Sequence, residues 1–378
     1  MNSNCNSEDY IRRCILLAKK GAGCVSPNPM VGAVIVKNGR IVSEGWHHCF
    51  GGAHAEADAI SKADPALLHD ATIFVNLEPC SHQGKTPPCS LAIRNCGIKK
   101  VVYSVADPNP LTRGRSAAIF NTAGIEVETG ILAKIALDLN RSFFTSIMLE
   151  RPHVTLKLAQ TIDGRIADFL GNSFWITGEG SRKLVHRERF RSDAVLVGIN
   201  TVLSDNPRLN IRLHYKNKPL TRIVLDRTGR IPLEYKLVQS AGEAPLIIVG
   251  DRIDRNKALN LRKAGAEVLD LNPLQIGTML AELYKSFRIG RLLVEGGSRV
   301  AGSFIREKLA DELLIMTAPR LLGELGVNAI FTGQRIRITD SPQFILKKVR
   351  KSDSDIVARY YSRDLEAMLS ALSGNLPN

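Results

Sequence analysis

The chain has 378 residues, of which 44% are hydrophobic and 23% charged, with a formal net charge of +14. That length exceeds what a single core usually organises, so two or three domains are expected from ordinary globular material. No apolar run is long enough for a signal peptide or a membrane span, so no membrane partner is expected and a cytoplasmic location is. In a reducing compartment the seven cysteines do not read as a disulfide framework. The charge is uneven: residues 1–150 carry +2 and the remainder +12. A solvated basic surface explains this blandly; nucleic acid or phosphorylated small molecules explain it functionally. No arginine-rich block or RNA-binding aromatic motif favours nucleic acid.

In chain order, residues 8–20 space Ile11, Cys14, Ile15 and Ala18 as a helix that Gly21 stops. Residues 30–46 read as a hairpin turning at Asn38-Gly39. A helix is predicted from about His54 to Ala63, ending before Pro65. A strand follows at 71–77, a helix near 88–96, and strands at 100–105 and 124–130. A helix over 131–148 precedes Arg151-Pro152, where the proline favours a break. Further strands are predicted at 154–159, 194–198, 221–226, 244–250, 291–295 and 312–318, several of them continuously apolar, as in a sheet covered on both faces. Helices such as 181–190 separate some of them. The expected fold class is therefore α/β, divided into residues 1–148, 149–364 and a tail, 365–378, that is a short helix or a frayed end.

The first half contains His54, Glu56, Cys80 and Cys89 in an arrangement close to the zinc-deaminase signature H-x-E…P-C-x-x-C. The second cysteine comes late, after an eight-residue gap. Zinc takes imidazole and thiolate ligands tetrahedrally, and a catalytic zinc leaves one position for water. Glu56 is then placed to shuttle protons between water, a ring nitrogen and the departing amine. Residues i and i+2 lie roughly 200° apart on a helix, so His54 and Glu56 converge only if His54 sits near the N-cap. His82 competes as a ligand, and with Cys80 and His82 bound, Cys89 would be structural. Cys5, Cys14, Cys24, Cys49 and Cys96 read as small buried hydrophobes.

Residues 21–36, 51–60, 76–89 and 101–110 together closely resemble the deaminase half of the bifunctional riboflavin-biosynthesis deaminase–reductases. In that family the long insert between the cysteines is normal. The resemblance implies a cytidine-deaminase-like domain with zinc on His54, Cys80 and Cys89, and Glu56 as the proton shuttle. His82 and Lys85 become candidates for substrate or phosphate contact, and Asn28 and Pro29 line the pyrimidine pocket.

In the second half, a strand ends at Glu295, turns at Gly296-Gly297 and enters a helix near Ser298–Arg299. Glycines allow close backbone approach to a phosphate and the helix start offers free N–H groups, although this is not the G-x-G-x-x-G fingerprint. Strand 154–159 sets Val154, Leu156 and Leu158 on one face and Lys157 on the other. Asp205, Asn206, Arg208 and Arg212 gather after the strand at 194–198, at the edge where open α/β sheets bind ligands. The bland alternatives are surface charge for Arg208 and Arg212, and core packing for Trp175.

The motifs KLAQTIDGRIA, NSFWITG and VEGG, with residues 189–212, resemble the reductase half of the same family, whose fold is similar to dihydrofolate reductase. A mild departure is Thr161-Ile162 where the family often has Ser-Leu. The resemblance implies NADPH as cofactor, held near Ala159, Trp175, Thr201 and Asp205. It places the phosphates along Gly297, Ser298, Arg299, Val300, Ala301, Gly302 and Ser303. Substrate contacts fall to Ser173, Arg189, Leu209, Arg212 and Glu295, with Lys157 and Asp205 as polar groups beside the reacting sugar. The implied partner is a phosphorylated pyrimidine and not nucleic acid, with a homo-oligomer left open. Two rivals remain: a zinc deaminase that acts on nucleic acid through a basic second domain, and a binding protein with a structural zinc.

Overall fold

The Asn38-Gly39 turn forms with both residues at positive φ, 51° and 73°, the backbone a two-residue hairpin requires. It joins β1 (Gly32–Lys37) to β2 (Arg40–Trp46) with Lys37 opposite Arg40. The structure is a computed structural model and describes residues 6–81, 87–110, 112–173, 175–212 and 218–374. It divides into two compact units, residues 1–150 with 367–378, and residues 151–366.

In the first unit, α1 (Ser7–Ala18) begins with a reciprocal cap between Asn6 and Asp9. After the hairpin come α2 (Ala55–Lys62), the single turn α3 (Pro65–Leu68), β3 (Thr72–Val75), α4 (Cys89–Asn95), β4 (Lys100–Tyr103), α5 (Arg115–Thr122) and β5 (Glu126–Thr129). The sheet order is β2-β1-β3-β4-β5, antiparallel as far as β3 and parallel beyond it. Ala55 and Ala59 of α2 pack with Ala33, Ile35, Ile73, Val75 and Val101 on one face of this sheet. The single helix expected over 131–148 is two, α6 (Ala133–Leu139) and α7 (Arg141–Leu149). They break at Asn140, which is 1% exposed and whose side chain accepts from Met30 N at 2.8 Å and donates to Met30 O at 2.9 Å. A distant loop thus decides a break that helical periodicity does not reveal.

The second unit runs β6 (His153–Thr161), β7 (Arg165–Ala167), α8 (Glu179–Arg191), β8 (Ala194–Gly198), α9 (Ile199–Asp205), β9 (Thr221–Leu225), α10 (Lys236–Gln239), β10 (Leu246–Gly250), α11 (Arg255–Lys263), β11 (Glu267–Asp270), α12 (Ile276–Phe287), β12 (Arg291–Val294), α13 (Ser298–Arg306), β13 (Glu312–Ala318), β14 (Val327–Asn328), β15 (Phe344–Ser352) and β16 (Asp355–Ser362). Its large sheet has the order β11-β10-β9-β8-β12-β6-β13-β16-β15. Strands from β11 through β13 are parallel, and β16 and β15 are antiparallel additions. Every residue of β8 and β10 is buried, as their continuous apolar runs predict. Strands β15 and β16 were not expected: β15 interleaves Lys347, Lys348, Arg350 and Lys351 with apolar residues and is largely exposed at the sheet edge. The tail forms a regular helix, α14 (Arg363–Gly374). Among the described residues no helix is long and apolar enough to cross a membrane.

Candidate active sites

His54 is the N-cap of α2, with extended backbone, so its imidazole leaves the helix axis while Glu56 enters the first turn. This is the one placement in which residues two apart converge. Cys89 opens α4, and Cys80 lies in the segment leaving β3. His54 Nδ1 is 3.5 Å from Cys80 Sγ and 3.4 Å from Cys89 Sγ. The three ligand atoms lie within 4.8 Å of one another. A tetrahedral zinc with Zn–S of about 2.3 Å and Zn–N of about 2.0 Å needs N···S edges of roughly 3.5 Å. The donor set therefore fits zinc in both chemistry and spacing. Among the described residues this is the one cluster of three or more such side chains. His82 and Lys85 lie outside the described residues.

The electrostatics of the cluster depend on the two thiols together. Cys80 is pulled down, to about 4, by a hydrogen bond from Cys89 and then by His54, against the cost of burial. Cys89 is pushed up because it donates to the Cys80 thiolate and is itself buried. The Cys89 backbone N–H adds a bond to Cys80 Sγ at 3.2 Å. Glu56 is 3% exposed, and burial raises its carboxyl to about 7. A cation between the sulfurs would oppose that rise.

His54, Glu56 and Cys80 line a cavity of about 350 Å³ together with Asn28 and Pro29. Asn28 Nδ2 is 3.1 Å from His47 Nε2, and the other His47 nitrogen is 2.8 Å from Ala53 O. Burial lowers the pKa of His47, with Ala53 opposing. His47, Glu78, Asp107, Asn109 and Phe143 also line the cavity and were not singled out from the sequence. Asp107 and Asn109 lie in the segment that leaves β4, and a parallel strand's C-terminal end was the available signal. Cys24 and Cys49 correct an expectation. They are exposed, in turns where Phe50 N bonds to Cys24 O, and are not buried hydrophobes. Cys14 is buried, Cys96 half-buried, and Cys5 lies outside the described residues.

In the second unit, β12 delivers Glu295 at its C-terminal end, where Arg189 of α8 meets it with both edges. Arg189 Nε and a terminal nitrogen donate to the two carboxylate oxygens at 2.6 and 3.0 Å. Arg189 also donates to Asn210 O at 2.9 Å, and Arg212 N donates to His186 Nδ1 at 3.2 Å. Thus Arg189, Glu295 and the 209–212 segment come together, and Leu209 is buried there at positive φ. His186, missed in the sequence, is pulled down to about 4 by burial and by the Arg189 and Arg212 cations. Burial lowers the pKa of Lys157, with Glu295 opposing and Arg189 reinforcing. Burial works against Glu295 ionising, yet Arg189, and then Lys157, hold it below the ordinary carboxylate value.

Gly297 is the N-cap of α13. A Cβ on Gly296 would lie 2.7 Å from Val300, so that turn requires glycine. A Cβ on Gly297 would meet nothing closer than Thr201 Oγ1 at 3.6 Å, which leaves a small backbone cradle beside α9. The cradle and the free N–H groups of Ser298, Arg299 and Val300 fit a phosphate-bearing cofactor. Deeper in the helix the picture changes: Ala301 and Gly302 are buried, and a Cβ on Gly302 would lie 1.8 Å from Phe331 O. Gly302 is thus a packing glycine. Ser303 donates its hydroxyl to Arg299 O at 3.1 Å. Ala159 is half-buried, just past the last core residue Leu158 of β6's apolar run, and Asp205 ends α9. Ser173 lies in the loop before α8. Trp175 is not core: it is 58% exposed, with the Arg182 guanidinium 4.5 Å from its ring centre. Arg208 and Arg212 are exposed.

Two family models match. Residues 5–105 match the cytidine and deoxycytidylate deaminase zinc-binding region, and residues 152–358 match the RibD C-terminal domain. The chain is therefore a zinc-dependent deaminase joined to a reductase. It is 41% identical to the riboflavin biosynthesis protein RibD of Aquifex aeolicus, covering 93% of this chain and 97% of that one. The Escherichia coli protein of the same name is 34% identical over 92% and 97%. The solved structure of Acinetobacter baumannii RibD, 36% identical, superposes with a TM-score of 0.87 over 94% and 98% of the two chains. A Thermotoga maritima diaminohydroxyphosphoribosylaminopyrimidine deaminase/5-amino-6-(5-phosphoribosylamino)uracil reductase, 38% identical, gives 0.83 over the same shares. The chain belongs to the RibD family.

Proposed function

We propose that the chain deaminates 2,5-diamino-6-(5-phosphoribosylamino)pyrimidin-4-one and then reduces the ribosyl chain of the product to ribityl with NADPH, two steps toward riboflavin. The observation that carries the reading is the His54–Cys80–Cys89 triangle, at tetrahedral spacing, with buried Glu56 beside it in a cavity sized for one small molecule. A cavity of that size favours a single pyrimidine over a nucleic-acid strand, and the cysteines among the described residues, all free of disulfides, suit a cytoplasmic setting.

In the first unit His54, Cys80 and Cys89 would hold zinc, which supplies the Lewis acidity that makes water nucleophilic at neutral pH. Glu56 carries the two protons of the attacking water in turn, the first to the ring nitrogen and the second to the departing amine. Asn28, fixed by His47, presents an amide to the ring. The apolar part of the cavity excludes bulk water and strengthens each of these contacts.

In the second unit NADPH supplies the hydride. The first-turn amides of α13 would receive its phosphates, and Ala159, Trp175, Thr201 and Asp205 would make the other cofactor contacts. Lys157 donates to an oxygen of the opened sugar, and the Glu295 carboxylate favours its ammonium form against burial and the Arg189 cation. Ser173, Leu209 and Arg212 complete the substrate wall. The test supplies the diaminopyrimidine phosphate with NADPH to the full chain and follows both ammonia and NADPH. Ammonia release followed by stoichiometric NADPH oxidation is expected. Oxidation without ammonia, or ammonia without oxidation, would leave one unit without its assigned reaction.

A further inference from the structure

Glu78 leaves β3 two residues before Cys80 and is 5% exposed. Its backbone N–H donates to Val105 O at 2.9 Å. One carboxylate oxygen accepts from Asp107 N at 3.0 Å and Gly114 N at 3.1 Å. The other accepts from Ser116 N at 3.3 Å and from the Ser116 hydroxyl at 2.7 Å. A carboxylate is costly to bury unless its oxygens are satisfied, and here four donors satisfy it.

The donors share a purpose. Gly114 is the N-cap of α5 and has no side chain to offer, so Glu78 caps the helix from 36 residues away. The same carboxylate closes the segment that starts at Asp107. That segment carries Asp107 and Asn109 into the wall of the metal cavity, with Asp107 Oδ1 accepting from Asn109 N at 2.8 Å. The extended stretch after β3 thus uses every second residue as an anchor. Asn76 accepts from Gly32 N at 2.8 Å and donates to Met30 O at 3.0 Å, which holds the loop bearing Asn28. Glu78 holds the opposite loop, and Cys80 belongs to the metal triangle.

We propose that Glu78 is a positioning residue for the deamination: by tying Asp107, Gly114 and Ser116 together it fixes the 107–109 wall of the cavity against which the pyrimidine is held. Its oxygens are spent on the loop, so it acts through Asp107 and Asn109 and not on the reacting carbon. This rests on the reading of the cavity as the deaminase site. A positioning role in binding predicts a change in KM with little change in kcat, whereas a residue that only supports the fold moves neither selectively.

The test uses the full-length enzyme loaded with zinc, with Glu78→Gln and Ser116→Ala measured for ammonia release, metal content and NADPH oxidation. Glutamine presents an NH₂ to backbone donors and breaks half of the array. Glu78→Gln is expected to raise the deaminase KM by roughly tenfold while kcat stays within about threefold. Its zinc content and its NADPH oxidation with the deaminated product stay as in the wild type. Ser116→Ala removes one donor and does not touch the cavity; it is expected to raise KM in the same direction by roughly two- to fivefold. An unmoved KM in either variant, a fall in kcat alone, or loss of zinc overturns the proposal. If Glu78→Gln does not fold, Ser116→Ala decides by itself. A wild-type enzyme that releases no ammonia sinks the deaminase reading and this proposal with it, whereas normal wild-type turnover with unmoved variants sinks the positioning role alone.

Discussion

Replacing Glu295 by glutamine tests the reductase site most sharply, because it keeps the side chain's shape and removes its charge. The native carboxylate meets Arg189 with two bonds, and the two side chains are 9% and 12% exposed. Lys157, partly buried, depends on the same carboxylate to offset its desolvation and the repulsion of Arg189. Unit charges ~4 Å apart attract by about 4 kcal/mol at an effective dielectric of ~20. Removing one member of such a pair costs about 3–5 kcal/mol, because the survivor stays desolvated. The glutamine oxygen still accepts one bond from Arg189, which points to the lower end, about 3 kcal/mol or roughly 150-fold in kcat/KM. Without the carboxylate the Lys157 pKa falls further, so the protonated donor is lost sooner as pH rises and the alkaline limb of the reductase profile should move to lower pH. The assay is NADPH oxidation with the deaminated intermediate, and ammonia release from the same chain serves as the control. A reductase kcat/KM within about threefold of the wild type would refute the argument, and so would an equal loss of both activities.

Glu56→Gln should retain zinc and lower ammonia release by roughly 10²- to 10⁴-fold, and release at the wild-type rate would remove Glu56 from the proton path. Cys89→Ser should reduce bound zinc in elemental analysis whereas His82→Ala should not; the reverse outcome reassigns the third ligand. Burial works against Glu312 ionising, but His153 and the Arg359 and Arg291 guanidinium groups hold it down to about 2. A carboxyl depressed from ~4.5 to ~2 contributes about 3 kcal/mol of stability above pH ~4.5, and that contribution is lost as pH falls toward 2. Glu312→Gln should therefore lower stability at neutral pH and flatten its decline in acid. Urea unfolding of the NADPH-stabilised transition checks this, and wild-type and variant curves that run parallel down to about pH 3 would count against it.

Much of the first site was legible because its chemistry is local. His54 and Glu56 are two residues apart, and the demand that they converge already required an N-cap histidine, as found. Cys89 at the start of a helix was equally readable from Pro87-Pro88 and the periodicity that follows. The parts that escaped are held by partners distant in sequence. Glu78 looks like an ordinary residue of a LEPC stretch until its carboxylate is seen to bind groups 29 to 38 residues on. His47 gains its meaning from Asn28, and His186 from Arg212. In the reductase unit the parallel strands announced themselves as apolar runs, while β15 did not, because an edge strand needs only one neighbour and tolerates lysines on both faces.

By itself the sequence determined the two α/β units, the His54, Glu56, Cys80 and Cys89 pattern proposed here as the zinc site, and the glycine turn into α13, because each depends on residue type at short spacing. Only the tertiary structure decided that Asn140 breaks a helix to clamp Met30, that Gly302 serves packing against Phe331, and that Arg189 closes on Glu295. Those outcomes are set by which backbone and side-chain groups must be satisfied once the layers close, and hydrogen bonds spanning more than a hundred residues leave no periodicity in the chain.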